Sequence, residues 1–267
     1  SGQITISATF NPTWTSIWLF QGCPASGGCA IAAVVNGSSG VKTLTACVTA
    51  GVQYYIVFDT WPTPNDPCGS GSTFTVTAPG PATVAAATVQ PSTATAAAGT
   101  TNNQVLRVDL TNYCPGSSFT NFNAVAAGTF TDNNINSAPD VTSAKCYITT
   151  STTFATTTPF GSPITNPSGV AATSLAFSGS YFMTGATTYL WIVYDLGCSA
   201  AANTLDASCT NVIIDGATTT PATANPTGTR TITLAAAPGA FAFSSPAASA
   251  TNVAVNGTLS WAASTGA

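Results

Sequence analysis

The side chains able to do chemistry in this chain are few and of two kinds. Eight cysteines stand at Cys23, Cys29, Cys47, Cys68, Cys114, Cys146, Cys198 and Cys209, and all eight acidic residues are aspartates; histidine and glutamate are absent. A catalytic thiol needs a base to take its proton. A four-cysteine zinc site ordinarily shows two Cys-x-x-Cys pairs. Neither requirement is met, so the cysteines read as disulfides made in an oxidising compartment. They divide four and four along the chain, which leaves three connectivities open in each half. The expected pairs are Cys23–Cys29 and Cys47–Cys68, then Cys114–Cys146 and Cys198–Cys209. Each bridge would add about 2–4 kcal/mol by restricting the unfolded chain.

Paired carboxylates are the other route to catalysis, as in glycosidases and aspartic proteases. Asp59, Asp195 and Asp206 are the candidates. Aspartic proteases use two Asp-Thr/Ser-Gly loops, and neither Asp59-Thr60-Trp61 nor Asp195-Leu196-Gly197 has that form. An aspartate at a strand end commonly caps the next turn, and this is the role expected here. No catalytic residue is assigned, and the chain reads as no enzyme.

Between Asp132 and Asp140, side-chain oxygens recur at alternate positions. Asp132, Asn134, Asn136 and Asp140 are therefore candidate calcium ligands, the one cofactor considered. The stretch lacks the Gly and the Glu of an EF-hand loop, so a polar turn is the default. Trp14, Trp61 and Tyr113 lie beside turns, where flat rings can stack on sugars, and are the candidate glycan contacts; a lid over a sandwich end is the plainer role. Trp18 and Trp191, inside apolar runs, are expected in the core.

Positioning these groups falls to strands. Only 4% of the residues are charged, although 45% are hydrophobic. Exposed helix faces usually draw on Glu, Lys and Arg, whereas the Thr that fills this chain suits a pleated surface. Short apolar or alternating runs at 4–10, 17–20, 30–35, 44–48, 54–58 and 74–76 are separated by Gly, Pro, Asn and Ser, the punctuation of a β-sandwich. Further runs follow at 83–89, 104–110, 124–130, 144–149, 175–177, 188–194, 209–214 and 230–234. The fold class expected is all-β: two consecutive disulfide-stapled sandwiches, Ig-like or jelly-roll-like, plus a partial third. Units are placed at 1–79, 80–235 and 236–267. Two echoing segments, 51–59 and 185–195, are expected as central strands.

The four cations, Lys42, Arg107, Lys145 and Arg230, are too dispersed to neutralise a run of phosphates, which argues against nucleic acid. No apolar stretch approaches the length of a membrane-spanning helix. The opening residues have no charged leader pattern, so an export signal is expected upstream or already removed. A net charge of −4 repels neighbouring copies weakly, which suits an assembly or a surface layer.

The first unit resembles the bacterial pre-peptidase C-terminal type domain in residues 2–6, 17–20, 50–59 and 74–76, although that family's first strand is missing. The second, through 104–108, 144–148, 189–195 and 203–207, is similar to the N-terminal domain of bacterial BNR-repeat sialidases and related Bacteroidetes surface proteins. Residues 246–261 resemble the opening of a fibronectin type III-like module. The combination implies part of a long modular secreted surface protein, similar to adhesins that some cells move in gliding motility and export by the type IX system. Neither family implies a catalytic residue.

The function expected is a non-catalytic structural or adhesive module of an extracellular filament or cell-surface adhesin. The alternative is a carbohydrate-binding accessory region of a secreted glycoside hydrolase. Partners are then neighbouring modules, copies of the same chain, or glycans. The missing opening strand and the strands left over at the end are expected to mark a portion of a longer chain. Exchange of strands between copies is the second explanation.

Overall fold

The computed structural model describes residues 2–10, 15–36, 39–60, 71–132, 138–198, 202–234, 243–246 and 249–262. Its regular elements are strands, apart from one 3-10 turn at Pro24–Ser26. The fold is all-β and built of sandwiches.

The first sandwich uses β1 (Gly2–Phe10), β2 (Thr15–Gln21), β3 (Cys29–Asn36), β4 (Gly40–Val48), β5 (Tyr54–Thr60) and β6 (Thr73–Val76). One sheet has the order β4-β1-β6 and the other β3-β2-β5, every pairing antiparallel. Alternation dictates the core. Ile4, Ile6, Ala8 and Phe10 of β1 meet Leu44, Ala46 and Val48 of β4, and Ile17 and Leu19 of β2 face them. The intervening residues point outward. Trp18 is therefore not in the core as expected: it lies half-buried on the outer face, 6.5 Å from Phe20, with its indole N–H donated to Ser16 Oγ at 2.8 Å. The run at 17–20 is apolar on both faces, which hid its phase. β5 is likewise no central strand among the described residues, where it pairs with β2 alone and ends its sheet.

The second sandwich is larger. Its strands are β7 (Ala85–Val89), β8 (Ala96–Ala97), β9 (Asn103–Thr111), β10 (Ser118–Gly128), β11 (Val141–Thr149), β12 (Ile164–Thr165), β13 (Ser174–Phe182), β14 (Thr188–Leu196), β15 (Thr204–Ile214), β16 (Ala217–Thr219) and β17 (Arg230–Thr233). One sheet runs β12-β11-β14-β9-β7. The other runs β13-β10-β15-β17-β8, with β16 beside β15 and only the β17–β8 pair parallel. Between them lie Leu106, Val108, Leu110, Leu190, Ile192 and Tyr194 from one sheet and Phe122, Ala124, Leu205, Ala207, Val212 and Ile214 from the other.

Bulges adjust this packing. The β9–β14 register slips between Ile192 and Val193, and the adjacent Val105 and Leu106 are both fully buried. In β15 a slip at Asn123/Ala124 leaves Thr210 as the extra residue, so the inward set passes from 205, 207 and 209 to 212 and 214. An inserted residue is expected to reverse the phase in this way. Beyond these, β18 (Phe243–Ser245) and β19 (Ser260–Trp261) form a short pair.

The two sandwiches are joined by a covalent bond. Cys47 of β4 and Cys114, just past β9, form a disulfide with a Cα–Cα distance of 5.5 Å. The expected pairs Cys47–Cys68 and Cys114–Cys146 are thereby overturned. Cys146 lies buried in mid-β11 facing the core, where it cannot reach a strand end; Cys68 is outside the described residues. Cys23, Cys29, Cys146, Cys198 and Cys209 are thiols in this structure. Cys198–Cys209, expected as a short loop closure, fails because Cys209 sits buried in mid-strand while Cys198 is exposed beyond the end of β14.

Candidate functional site

The carboxylates expected to be catalytic candidates do not converge. Asp195 follows the inward Tyr194 on β14, so it faces outward, pairs with Lys145 and accepts the Asn102 N–H at 2.9 Å. Asp206 lies between the inward Leu205 and Ala207 of β15, on the outer side of the opposite sheet. The whole core, about 10 Å between sheets, separates the two, and Asp59 belongs to the other sandwich, exposed on β5. Asp206 is covered even so: Oδ1 accepts the Ala207 N–H at 2.8 Å and Oδ2 accepts Asn225 Nδ2 at 2.8 Å. Burial pushes its carboxyl above the ordinary aspartate range, and those two hydrogen bonds oppose the shift.

Of the four candidate calcium ligands, Asp132 and Asp140 are among the described residues. Asp132 is exposed, whereas Asp140 is fully buried and Oδ2 accepts the Thr131 N–H at 2.8 Å and Asn203 Nδ2 at 2.9 Å. Backbone bonds tie Asp140 to Thr131 and Gly197. Its carboxylate thus clamps two loops together. Asn134 and Asn136 are outside the described residues. Among the described residues no three Cys or Asp side chains gather as metal ligands.

Of the three candidate glycan-binding rings, Trp14 and Trp61 are outside the described residues. Tyr113 is not an exposed platform: it is buried, its hydroxyl is 2.8 Å from Thr188 Oγ1, and burial pushes its pKa up. It belongs to the second sandwich's own buried cluster, and its neighbour Cys114 makes the disulfide to the first sandwich. A cleft of about 540 Å³ lies at this joint, bounded by Gln3, Thr5, Thr45, Cys47, Thr83 and Tyr113.

That joint is braced by more than sulfur. Gln3 and Gly80 exchange backbone hydrogen bonds at 2.8 and 3.1 Å, and Gln3 Oε1 accepts the Thr83 N–H at 3.3 Å. Thr77 and Thr5 extend the β1–β6 ladder of the first sandwich toward the joint, with a 3.0 Å backbone bond and a 2.9 Å bond from the Thr5 N–H to Thr77 Oγ1. Gly2 is required here, because a Cβ would stand 2.7 Å from the Gly80 carbonyl oxygen.

Sequence reading missed one cluster entirely. On the outer face of the five-stranded sheet, Arg107 forms a forked pair with Asp109, at 2.6 and 2.9 Å. The same guanidinium lies 5.3 Å from the ring centres of Tyr189 and Trp191. Phe154 lies 5.5 Å from Trp191 and 5.7 Å from Tyr147, both edge-on, and the Trp191 N–H is donated to Thr149 Oγ1 at 2.8 Å. Trp191 is thus buried as expected, 2% exposed, although on the outer side of its sheet beneath Arg107 and Phe154 and apart from the intersheet cluster. The signal was the i, i+2 spacing of Arg107 with Asp109 and of Tyr189 with Trp191, which places each pair on one strand face.

Burial drives the thiols of Cys146 and Cys209 upward, the latter to about 12. Both stay protonated and unreactive at neutral pH.

No protein-family model matches the sequence, and no curated protein matches it. Among solved structures, Hadza microbial sialidase Hz136 is similar in part, with a TM-score of 0.40 and 10% identity over 55% of this chain. The chain spans 31% of that sialidase's length.

Proposed function

We propose that this chain is a non-catalytic structural segment of an extracellular surface protein or filament, holding two β-sandwiches in a fixed junction under load. The observation that carries this reading is the Cys47–Cys114 disulfide, which bridges 67 residues and crosses from one sandwich to the other. Tension between sandwiches would otherwise fall on the segment at 77–84; here the bridge shares it, with the Gln3–Gly80 and Gln3–Thr83 bonds in support. The carboxylates support the same reading, since Asp140, Asp195 and Asp206 each accept hydrogen bonds that hold strands or loops in place. A disulfide implies an oxidising compartment, and no helix among the described residues is long and apolar enough to cross a membrane.

Single-molecule pulling tests it. With the bridge intact, the loop it closes, with its ends 67 positions apart, stays locked under load. Reduction should release about 230 Å of additional extension, at about 3.4 Å per residue. Equal extension with and without reductant would count against the reading. So would a hydrolase activity that disappears in Asp195→Asn.

A further inference from the structure

The interior of the first sandwich is open along one seam. Phe74 and Val76 of β6 stand opposite Ala8 and Ile6 of β1, and directly opposed residues share a sheet face. All four therefore point inward. Ala8 and Ile6 are buried, yet Phe74 is 61% and Val76 44% exposed. Across the gap, β5 turns Tyr54, Ile56 and Phe58 inward, and these are only partly buried. Two hollows lie along the seam: one of about 790 Å³ beside Ile4, Val48, Tyr54 and Val76, the other of about 170 Å³ beside Phe10, Phe58 and Phe74. Both β5 and β6 end their sheets, so each presents an outer row of N–H and C=O groups without a neighbouring strand among the described residues.

The same chain carries a segment of the complementary kind. Residues 253–259 read Val-Ala-Val-Asn-Gly-Thr-Leu. Val253, Val255 and Leu259 are 45%, 108% and 61% exposed, and none belongs to either buried cluster. Extended, these seven residues span about 23 Å and set the three apolar side chains on one face, with Gly257 between them. Charge favours this occupant over others. No residue from 231 to 267 is charged, and neither hollow has a charged lining. Nothing ionic is desolvated when the two meet, whereas an ordinary protein segment is about one quarter charged. Docking gives up the 3.0 Å turn bond from the Gly257 N–H to the Ala254 carbonyl in exchange for ladder bonds along a free strand edge.

We infer that the trough between β5 and β6 receives residues 253–259 of a second copy as an added strand. Because donor and acceptor are different surfaces, the contact is heterologous and extends head to tail. It does not depend on the structural role proposed above, since a monomeric chain can still hold its own junction under load.

Sedimentation of the full chain between about 1 and about 100 μM tests the inference. The wild type should form oligomers that grow with concentration. Val255→Asp should kill the donor and Val76→Asp the acceptor, each weakening association more than about tenfold. An equal mixture of the two variants should stop at dimers, because one working donor meets one working acceptor. Val255 is fully exposed, so its variant should melt with the wild type, which separates lost docking from lost folding. A wild type that stays monomeric at about 100 μM, or a Val255→Asp variant that assembles normally, would overturn the inference. At a concentration where sedimentation shows the wild type monomeric, a labelled peptide of residues 252–260 that bound Val255→Asp but not the wild type would also overturn it, by placing the chain's own tail in the trough.

Discussion

At Asp206, burial and hydrogen bonding pull one carboxyl in opposite directions, and burial prevails. The folded chain therefore holds that proton more tightly than the unfolded chain does. The resulting stability is complete below the ordinary aspartate pKa of about 3.9 and is lost as pH rises through the higher folded value. Asp206→Asn removes the titration. The new amide oxygen can accept the Ala207 N–H, and its NH2 can donate to Asn225 once that amide turns over. Thermal unfolding should show the wild type losing stability as pH rises from about 4, while the variant stays level and melts roughly 2 °C higher at neutral pH. A wild-type melting curve that climbs over the same range would contradict the assignment. Residue roles of this kind were only partly legible in the sequence. A structural use of the aspartates follows from missing motifs and absent histidine. That Asp140 clamps two loops, and that Tyr113 is covered instead of exposed, depends on which strands dock beside them, and residue type does not carry that.

The outer face of β9 and β14 shows what an element adds to its residues. Arg107 lies over Tyr189 and Trp191 while its fork is held by Asp109. Its stem and guanidinium cover rings that would otherwise meet water. Arg107→Ala should cost about 1–2 kcal/mol through the lost cation–π contact and apolar cover. Tryptophan emission should shift to the red and become open to a soluble quencher. Arg107→Lys should recover only part of the loss, because an ammonium cannot reproduce the planar fork. Unchanged emission in Arg107→Ala would show that the cluster does not shield Trp191. Strands themselves were largely legible, since alternation and turn residues located the long ones. Bulges blurred the inward phase, as at Thr210, where one added residue turns β15 over. Two-residue strands such as β8 and β12 carry no period at all. The echo between 51–59 and 185–195 was half informative: β14 is the central strand of its sheet, whereas β5 ends a three-stranded one among the described residues.

For the molecule as a whole, the decisive bond joins sequence halves that looked self-contained. Four cysteines in each half suggested closure within each sandwich, but Cys47 and Cys114 sit where the ends of β4 and β9 meet across the junction. Their partnership is set by docking, which no local pattern records. Restricting a loop of 67 residues lowers the entropy of the unfolded chain by an amount worth about 4 kcal/mol in the simple loop-closure model. That stabilisation is shared only while both sandwiches unfold together. Replacing Cys47 and Cys114 with serine should therefore do two things. The variant should lose stability by an amount approaching that figure, and calorimetry should resolve two transitions in place of one. The first sandwich should melt earlier, since its seam leaves Phe74 and Val76 in water while the second encloses Trp191, Phe122 and Phe177 almost completely. A single transition at the wild-type temperature would mean that the hydrogen bonds at Gln3 hold the junction without the bridge, and that the sulfur contributes little to its rigidity.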